Sequence, residues 1–444
     1  MKPELEFVLK TIKSRDVHFV RLWFTDVLGS MKSFAVSPSE IETAFYDGMG
    51  FDGSCVAGFG PAEESDMLAF PDPSTFQIIP WRPSHDAVAR VFCDVRAPDG
   101  SAFEGDPRQI LRRAVDRASD AGYVFNVGPE LEFYYFKSPA APEVLDRGGY
   151  FDLTGLDYAS DLRRDTVLAL EKLGIPVEYS HHEGGPSQHE IDLRYADALT
   201  MADSVMTYKL AVKEIAIEHG VHASFMPKPL ENAPGNGMHV HQSLFDKQGN
   251  NLFFDEDDPL GYNLSELAKQ YIAGIMKYAP EFCLITNQNV NSYKRLLGND
   301  RAPFHVTWAR ANRSALLRVP GYRPDSPEAC RIELRSPDPS ANPYLAFAAM
   351  LAAGLAGIEE GLEPMAPVED AGLLGSPLSA SAAGFEVLPA NLGEAIERFE
   401  ASDLMKRTFG EHVHSFLVEA KRAEWLDYLG HVSPWEIDRY LAVL

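Results

Sequence analysis

No stretch of this chain is long and apolar enough to span a bilayer. The opening residues, Met1-Lys2-Pro3-Glu4-Leu5-Glu6, carry acidic groups at once, with no apolar export segment. A cytoplasmic location without a membrane partner is the expectation. Cysteine is scarce: Cys55, Cys93, Cys283 and Cys330 lie far apart and form no C-x-x-C pair. That argues against a disulfide framework and against a thiolate zinc site. Basic residues are outnumbered, 40 Lys and Arg against 65 Asp and Glu, for a formal net charge of -25. Such a chain lacks the basic surface that displaces counterions from nucleic acid, so no nucleic-acid partner is expected. Internal repeats and low-complexity tracts are also missing.

What is present is an ordinary globular composition, 45% hydrophobic and 24% charged, spread over 444 residues. That length exceeds one compact core, so two or more domains are expected. The first hundred residues read as short strands between turns, among them Val17 to Phe24 and Ala87 to Val95. Asp106-Pro107 then suits a helix start, with Asp106 as cap and Pro107 in the first turn. The boundary is placed there, giving domains 1–105 and 106–444. The stretch Leu362 to Leu388, rich in Pro, Gly, Ala and Ser, reads as a surface loop. Pro434 to Leu441 starts an amphipathic helix without an obvious partner inside the chain.

The informative pattern is a polar face repeated on several strands. Residues two apart share one face of a strand. Gly128 to Phe136 puts Glu130 and Glu132 on one face; Met238 to Leu244 does the same for His239, His241 and Ser243; Arg331-Ile332-Glu333-Leu334-Arg335 alternates charged and apolar residues. One such run is most often a solvated face. Three of mixed sign point to a shared cavity, in which carboxylates and imidazole hold hard divalent cations and guanidiniums hold phosphates. His181-His182-Glu183-Gly184-Gly185 adds Glu183, and Glu190 follows across a turn.

The ordered set Asp52-Gly53-Ser54, Gly128-Pro129-Glu130-Leu131-Glu132-Phe133, His181-His182-Glu183, Met226-Pro227-Lys228-Pro229, Gly237-Met238-His239-Val240-His241, Asn291-Ser292-Tyr293-Lys294-Arg295-Leu296, Asn312-Arg313-Ser314, Arg331-Ile332-Glu333-Leu334-Arg335 and Asn342-Pro343-Tyr344-Leu345 resembles the bacterial type I glutamine synthetases, nearly from end to end. The resemblance implies an α+β fold: a small N-terminal β-grasp-like domain, then a catalytic domain with a curved antiparallel sheet and flanking helices. It implies ATP-dependent joining of the glutamate γ-carboxylate to an amine through a γ-glutamyl phosphate, with two or more Mg2+ or Mn2+ ions per site. It also implies a dodecamer of two hexameric rings with sites between subunits. By position, Glu132, Glu183 and Glu190 would hold one ion, and Glu130, His239 and Glu333 the other. Arg313, Arg318 and Arg331 would face the ATP phosphates, with His241 and Ser243 along the nucleotide. Arg295, Arg335 and the backbone at Gly235 would receive glutamate. Asp52, Tyr150 and Glu183 would surround the amine, Asp52 acting as base from an adjacent subunit.

Three departures from the family pattern bear on the amine. Arg301 precedes Ala302-Pro303 where the family places a flap glutamate that shields the intermediate and binds ammonium. A guanidinium neither attracts ammonium nor accepts a proton, and Asp300 is one position early. Pro234 interrupts the glutamate-binding loop Ala233-Pro234-Gly235-Asn236-Gly237, removing a backbone donor. Cys55 stands where a serine is typical. Regulation differs too: no tyrosine lies between Leu362 and Leu388, and Pro61 takes the place of a feedback-sensing arginine. The first reading is therefore a γ-glutamylamide synthetase acting on a small organic amine. Glutamine synthesis from ammonia is the second. A weakly catalytic regulatory relative that binds nucleotide or glutamate is the third, and six intact ion-ligand positions speak against it.

Overall fold

The computed structural model of the chain describes residues 3–60, 65–82, 85–153, 155–297, 302–323, 325–373 and 384–444. It begins with helix α1 (Pro3–Ser14), whose Leu5, Val8 and Ile12 recur on one face and are buried. Strands β1 (Val17–Thr25) and β2 (Met31–Val36), helix α2 (Ile41–Asp47), and strands β3 (Met49–Asp52), β4 (Asp66–Pro71), β5 (Gln77–Ile78) and β6 (Ala87–Arg96) follow. The six strands form one sheet in the order β2-β1-β6-β4-β3, with β5 on β6. The adjacent β1 and β6 run parallel. An aromatic cluster of Phe24, Phe51 and Phe59 lies beneath the end of β3.

Helix α3 (Pro107–Asp120) opens the second part. The Asp106 carboxylate accepts from Arg108 N at 3.0 Å and from Val95 N at 2.8 Å, capping the helix and tying it to β6. The Arg108 guanidinium is buried among Asp72, Asp94 and Asp203, so one cation joins the small sheet to the large unit.

The large unit runs β7 (Val124–Phe136), α4 (Ser160–Lys172), β8 (Val177–His182), β9 (Gln188–Leu193), β10 (Ala196–Asp197), α5 (Ala198–Glu218), β11 (His222–Ser224), β12 (Met238–Phe245), α6 (Glu266–Thr286), α7 (Val290–Leu297), β13 (Trp308–Ala309), β14 (Leu317–Arg318), β15 (Ile332–Leu334), α8 (Pro343–Glu360), α9 (Leu392–Glu400), α10 (Asp403–Gly430) and α11 (Pro434–Tyr440). Its nine strands pair in the order β13-β14-β15-β12-β7-β9-β8, with β10 and β11 also on β7. All pairings in this sheet are antiparallel except β13 with β14. On β7, Phe125, Val127, Leu131, Phe133 and Tyr135 join the large core, which includes α5, α6 and α8. Glu130 and Glu132 alternate with them and point the other way. The α6–α8 contact is close because Gly274 meets Gly357: a Cβ on Gly274 would stand 2.2 Å from Ala353 O. No residue of α11 is buried, and Trp435 and Leu441 are exposed.

Candidate active site

Strand register carries the polar side chains into one row. Glu130 lies opposite His239 of β12 on one side and Asp192 of β9 on the other; Glu132 lies opposite Glu190. His241 lies opposite Glu333 of β15, and Glu333 opposite Arg318 of β14. The row is knitted by charge. His239 Nδ1 is 3.5 Å from Glu130 Oε2 and 3.8 Å from Glu333 Oε1. Arg318 Nη1 donates to Glu333 Oε2 at 2.8 Å, and Arg335 Nη1 donates to Glu333 Oε1. Arg331 Nε–H donates to His241 Nδ1 at 3.2 Å, which leaves the His241 Nε2–H to donate to Glu130 Oε1 at 2.7 Å.

Among the described residues, four groups each bring their ligand atoms within 4.8 Å of one another, and two of them belong to this row: Glu130, His239 and Glu333, and His181, Glu183 and Glu190. Both are rich in hard oxygen donors with one imidazole each, the chemistry that suits Mg2+ or Mn2+. Glu132, assigned with Glu183 and Glu190 by resemblance, turns an oxygen onto Gly237 N at 2.7 Å and Gln188 Nε2 at 3.2 Å. Electrostatics also fit a cation. Burial, with Glu183 beside it, pushes the Glu132 carboxyl up to about 8. Burial and the neighbouring Asp192 and Glu132 hold Glu190 well above the usual range, and burial raises Asp192 to about 6. Burial also works against Glu130, but the imidazoles of His241 and His239 pull it well below the carboxylate range. Acids so crowded keep protons unless positive charge is supplied.

The remaining predicted residues divide into three sets. The first surrounds the Gly235 loop. Arg295 is buried and donates to Ser336 O, Pro337 O and Arg335 O. A Cβ on Gly235 would stand 2.5 Å from Pro227 O, and one on Gly237 would stand 2.7 Å from Arg295 Nη2, so the glycines allow the loop to lie directly on the arginine. Arg335 Nε reaches Arg313 O at 3.0 Å. The second set lines a 220 Å³ cavity, where His241, Ser243 and Arg331 join Glu130, Tyr179 and Asp192. The third set is held apart. Asp52 is exposed on the small sheet, bonded to Ser54 N at 2.8 Å, and none of its hydrogen bonds reaches the carboxylate row of its own chain. Arg301, with Asp300 and Pro61, lies outside the described residues.

Tyr150 stands close enough to Glu183 and Glu190 for both to raise its hydroxyl, after burial, above the ordinary range. Its ring stacks on Phe151 with centroids 4.1 Å apart, and both rings meet His181 edge-on at 5.3 and 4.9 Å. His181 Nε2 lies 3.0 Å from Glu183 Oε1. The resemblance assigns no role to His181, Asp192 or Phe151. The period-two rule would have found the first two, because His181 precedes Glu183 and Asp192 follows Glu190 by two positions. Phe151 carries no pattern signal.

Comparisons with known proteins identify the family. The model of the glutamine synthetase β-grasp domain matches residues 16–98, and that of the glutamine synthetase catalytic domain matches residues 104–440. The chain is 50% identical to a glutamine synthetase of Mycolicibacterium smegmatis, with 100% of both chains covered. It is 49% identical to one of Methanosarcina mazei, over 99% of this chain and 98% of the relative. A solved structure named "GmaS/ADP complex-Conformation 1" superposes with a TM-score of 0.88 at 32% identity, covering 98% of this chain and 99% of the other. End-to-end matches at this identity place the chain in the glutamine synthetase family, as an ATP-dependent ligase of a class that uses divalent metal ions.

Proposed function

We propose that this enzyme joins the γ-carboxylate of glutamate to a small organic amine rather than to ammonia. One observation carries the reading: beside Glu183 stands a ledge of stacked, exposed rings. Tyr150 and Phe151 are 56% and 59% exposed in the single chain. The Tyr150 face and Glu183 suit any ammonium head, but Phe151 stacked beside them adds hydrocarbon surface that only a substituted amine can cover. Phe151 holds its place at a backbone φ of 62°, unfavourable for a bulky residue, fixed by Phe151 N donating to His182 O at 3.0 Å. Arg301 and Pro234 in the sequence support the same reading.

Glu130, His239 and Glu333 would hold one divalent ion, and Glu183 and Glu190, with His181 and Glu132 beside them, a second. When bound, such ions screen charge on the transferring phosphoryl group. Arg313, Arg318 and Arg331 add positive charge for the nucleotide phosphates. Arg295, with the Gly235 loop seated on it, and Arg335 receive glutamate. The γ-carboxylate takes the terminal phosphoryl group of ATP, releasing ADP. The amine nitrogen then attacks the acyl carbon, phosphate leaves, and one amine proton passes to a base. Asp52, supplied by a neighbouring subunit of a ring, is assigned as that base. The Ser54 N–H and hydroxyl, with the Ser65 hydroxyl, keep its carboxyl below the ordinary range.

Ammonia is the second reading, favoured by relatives named glutamine synthetase at 49–50% identity over their whole lengths. Phosphate release from ATP and glutamate across a panel of amines that includes ammonium decides between them. The proposal expects an organic amine to exceed ammonium in kcat/KM by about tenfold or more, on the order of one well-placed hydrocarbon contact. Ammonium as the best substrate would overturn it.

A further inference from the structure

We propose that the cavity between α5, β11 and the turn joining β1 to β2 is a second ligand site, built for a small phosphorylated molecule. It is distinct from the carboxylate row and has a volume of 660 Å³, within the range of small-molecule sites. Lys209 and Lys213 of α5 both line it. Spaced four apart, they sit on the same face of the helix, where like charges repel. Neither is paired with a carboxylate among the described residues. Lys209 Nζ has only a long contact of 3.4 Å to Ala341 O, and Lys213 Nζ lies 5.7 Å from the Phe225 ring. In a chain with 65 acidic residues against 40 basic ones, no Asp or Glu lines this cavity. Asp338 is the nearest acid felt by Lys209, but it is engaged by Ser340 and Asn287.

Burial, and then the neighbouring Lys213, bring Lys209 down to about 7. A bound anion reverses both penalties. Lysine serves phosphate as a compact point charge, and hydroxyl donors stand beside the pair. Ser224 Oγ accepts from Met226 N, leaving its O–H free to donate into the cavity, which Ser30 also lines. The space exceeds what a bare phosphate fills, and Met206, Leu210 and Phe225 offer an apolar wall for an organic body. Met226 and Pro227 form another wall, and Asn236 bonds back to both, so the occupant would lie one layer behind the Gly235 loop.

Pyridoxal 5'-phosphate, used on the full chain, tests this with positional resolution. Its aldehyde condenses with a neutral lysine amine, releasing water, and borohydride reduces the imine to a stable secondary amine that peptide mapping locates. Lys209 or Lys213 is expected to be modified at least about tenfold faster than the exposed Lys10 and Lys247, with inorganic phosphate slowing that reaction and succinate leaving it unchanged. Pyridoxal, which lacks the phosphate, should show a much smaller preference. Lys213→Ala, on the exposed side of the helix, should abolish the protection by phosphate while the protein stays folded and active. Equal labelling of all four lysines, or an equal preference with pyridoxal, would overturn the proposal. Protection by succinate alone would overturn it in favour of a dicarboxylate.

Discussion

His182 carries no ligand atom toward the carboxylate row, yet both of its ring nitrogens are committed. Nδ1 lies 2.7 Å from Glu183 O and Nε2 lies 3.1 Å from Asp146 Oδ1. A carbonyl and a carboxylate only accept, so both contacts are satisfied together by the protonated ring. Burial lowers its affinity for the proton, but Asp146 more than offsets this and raises it above the ordinary histidine range. Asp146 also accepts from Ser187 N at 2.8 Å and Tyr158 N at 3.2 Å, linking the loop that carries Tyr150 to the hairpin that carries Glu183. His182 is a positioning residue on this geometry. His182→Phe removes both donors and leaves the buried Asp146 carboxylate with its backbone donors alone, so a loss of about 1–3 kcal/mol in unfolding free energy is expected. Kinetics separate positioning from stability: the amine KM should rise while the ATP KM stays within about twofold, and His182→Gln, which keeps one donor, should recover part of the amine KM.

At the scale of the element, paired strands β7 and β9 concentrate acids on one face. The consequence is a pH dependence whose sign follows from Glu132 at about 8, Glu190 well above its ordinary range and Asp192 at about 6. A carboxyl raised above its unfolded value stabilises the fold below that unfolded value and loses this contribution as pH climbs through the folded one. The metal-free protein should therefore lose Tm between about pH 5 and pH 8, while the gain from Mn2+ or Mg2+ grows over the same window, because ligands must be deprotonated to bind. Scanning calorimetry with and without metal checks this, and a metal-induced gain that stays flat with pH would refute it. Much of this element was legible beforehand. Period-two spacing marked β7, β12 and β15 and the row they present, and Asp106-Pro107 marked the start of α3. Less legible were features set by tertiary contact. Glu132 turns to Gly237 N because the loop after Pro227 lies against it. The Tyr150–Phe151 ledge is held by a backbone bond to His182 that no local pattern announces.

At the scale of the whole molecule, the proposed base and the proposed amine ligand lie on different sheets of one chain. Asp52 stands exposed on the small sheet, while Glu183, proposed to meet it at the amine, lies beside the carboxylate row of the large one. No residue of α11 is buried, and Trp435, Leu441 and Leu444 are exposed, so this helix does not dock within the described part of its own chain. If sites form between subunits, inactive variants should rescue one another. Asp52→Asn and Glu183→Gln should each be nearly inactive alone. Co-expressed in equal amounts and assembled at random, they should yield about one quarter of wild-type activity, because each site draws Asp52 from one protomer and Glu183 from its neighbour. A site built from a single chain would predict no recovery, since every protomer would lack one of the two groups. Recovery that appears on co-expression but not on mixing separately purified variants would place the exchange at assembly, tying catalysis to ring formation rather than to transient encounter.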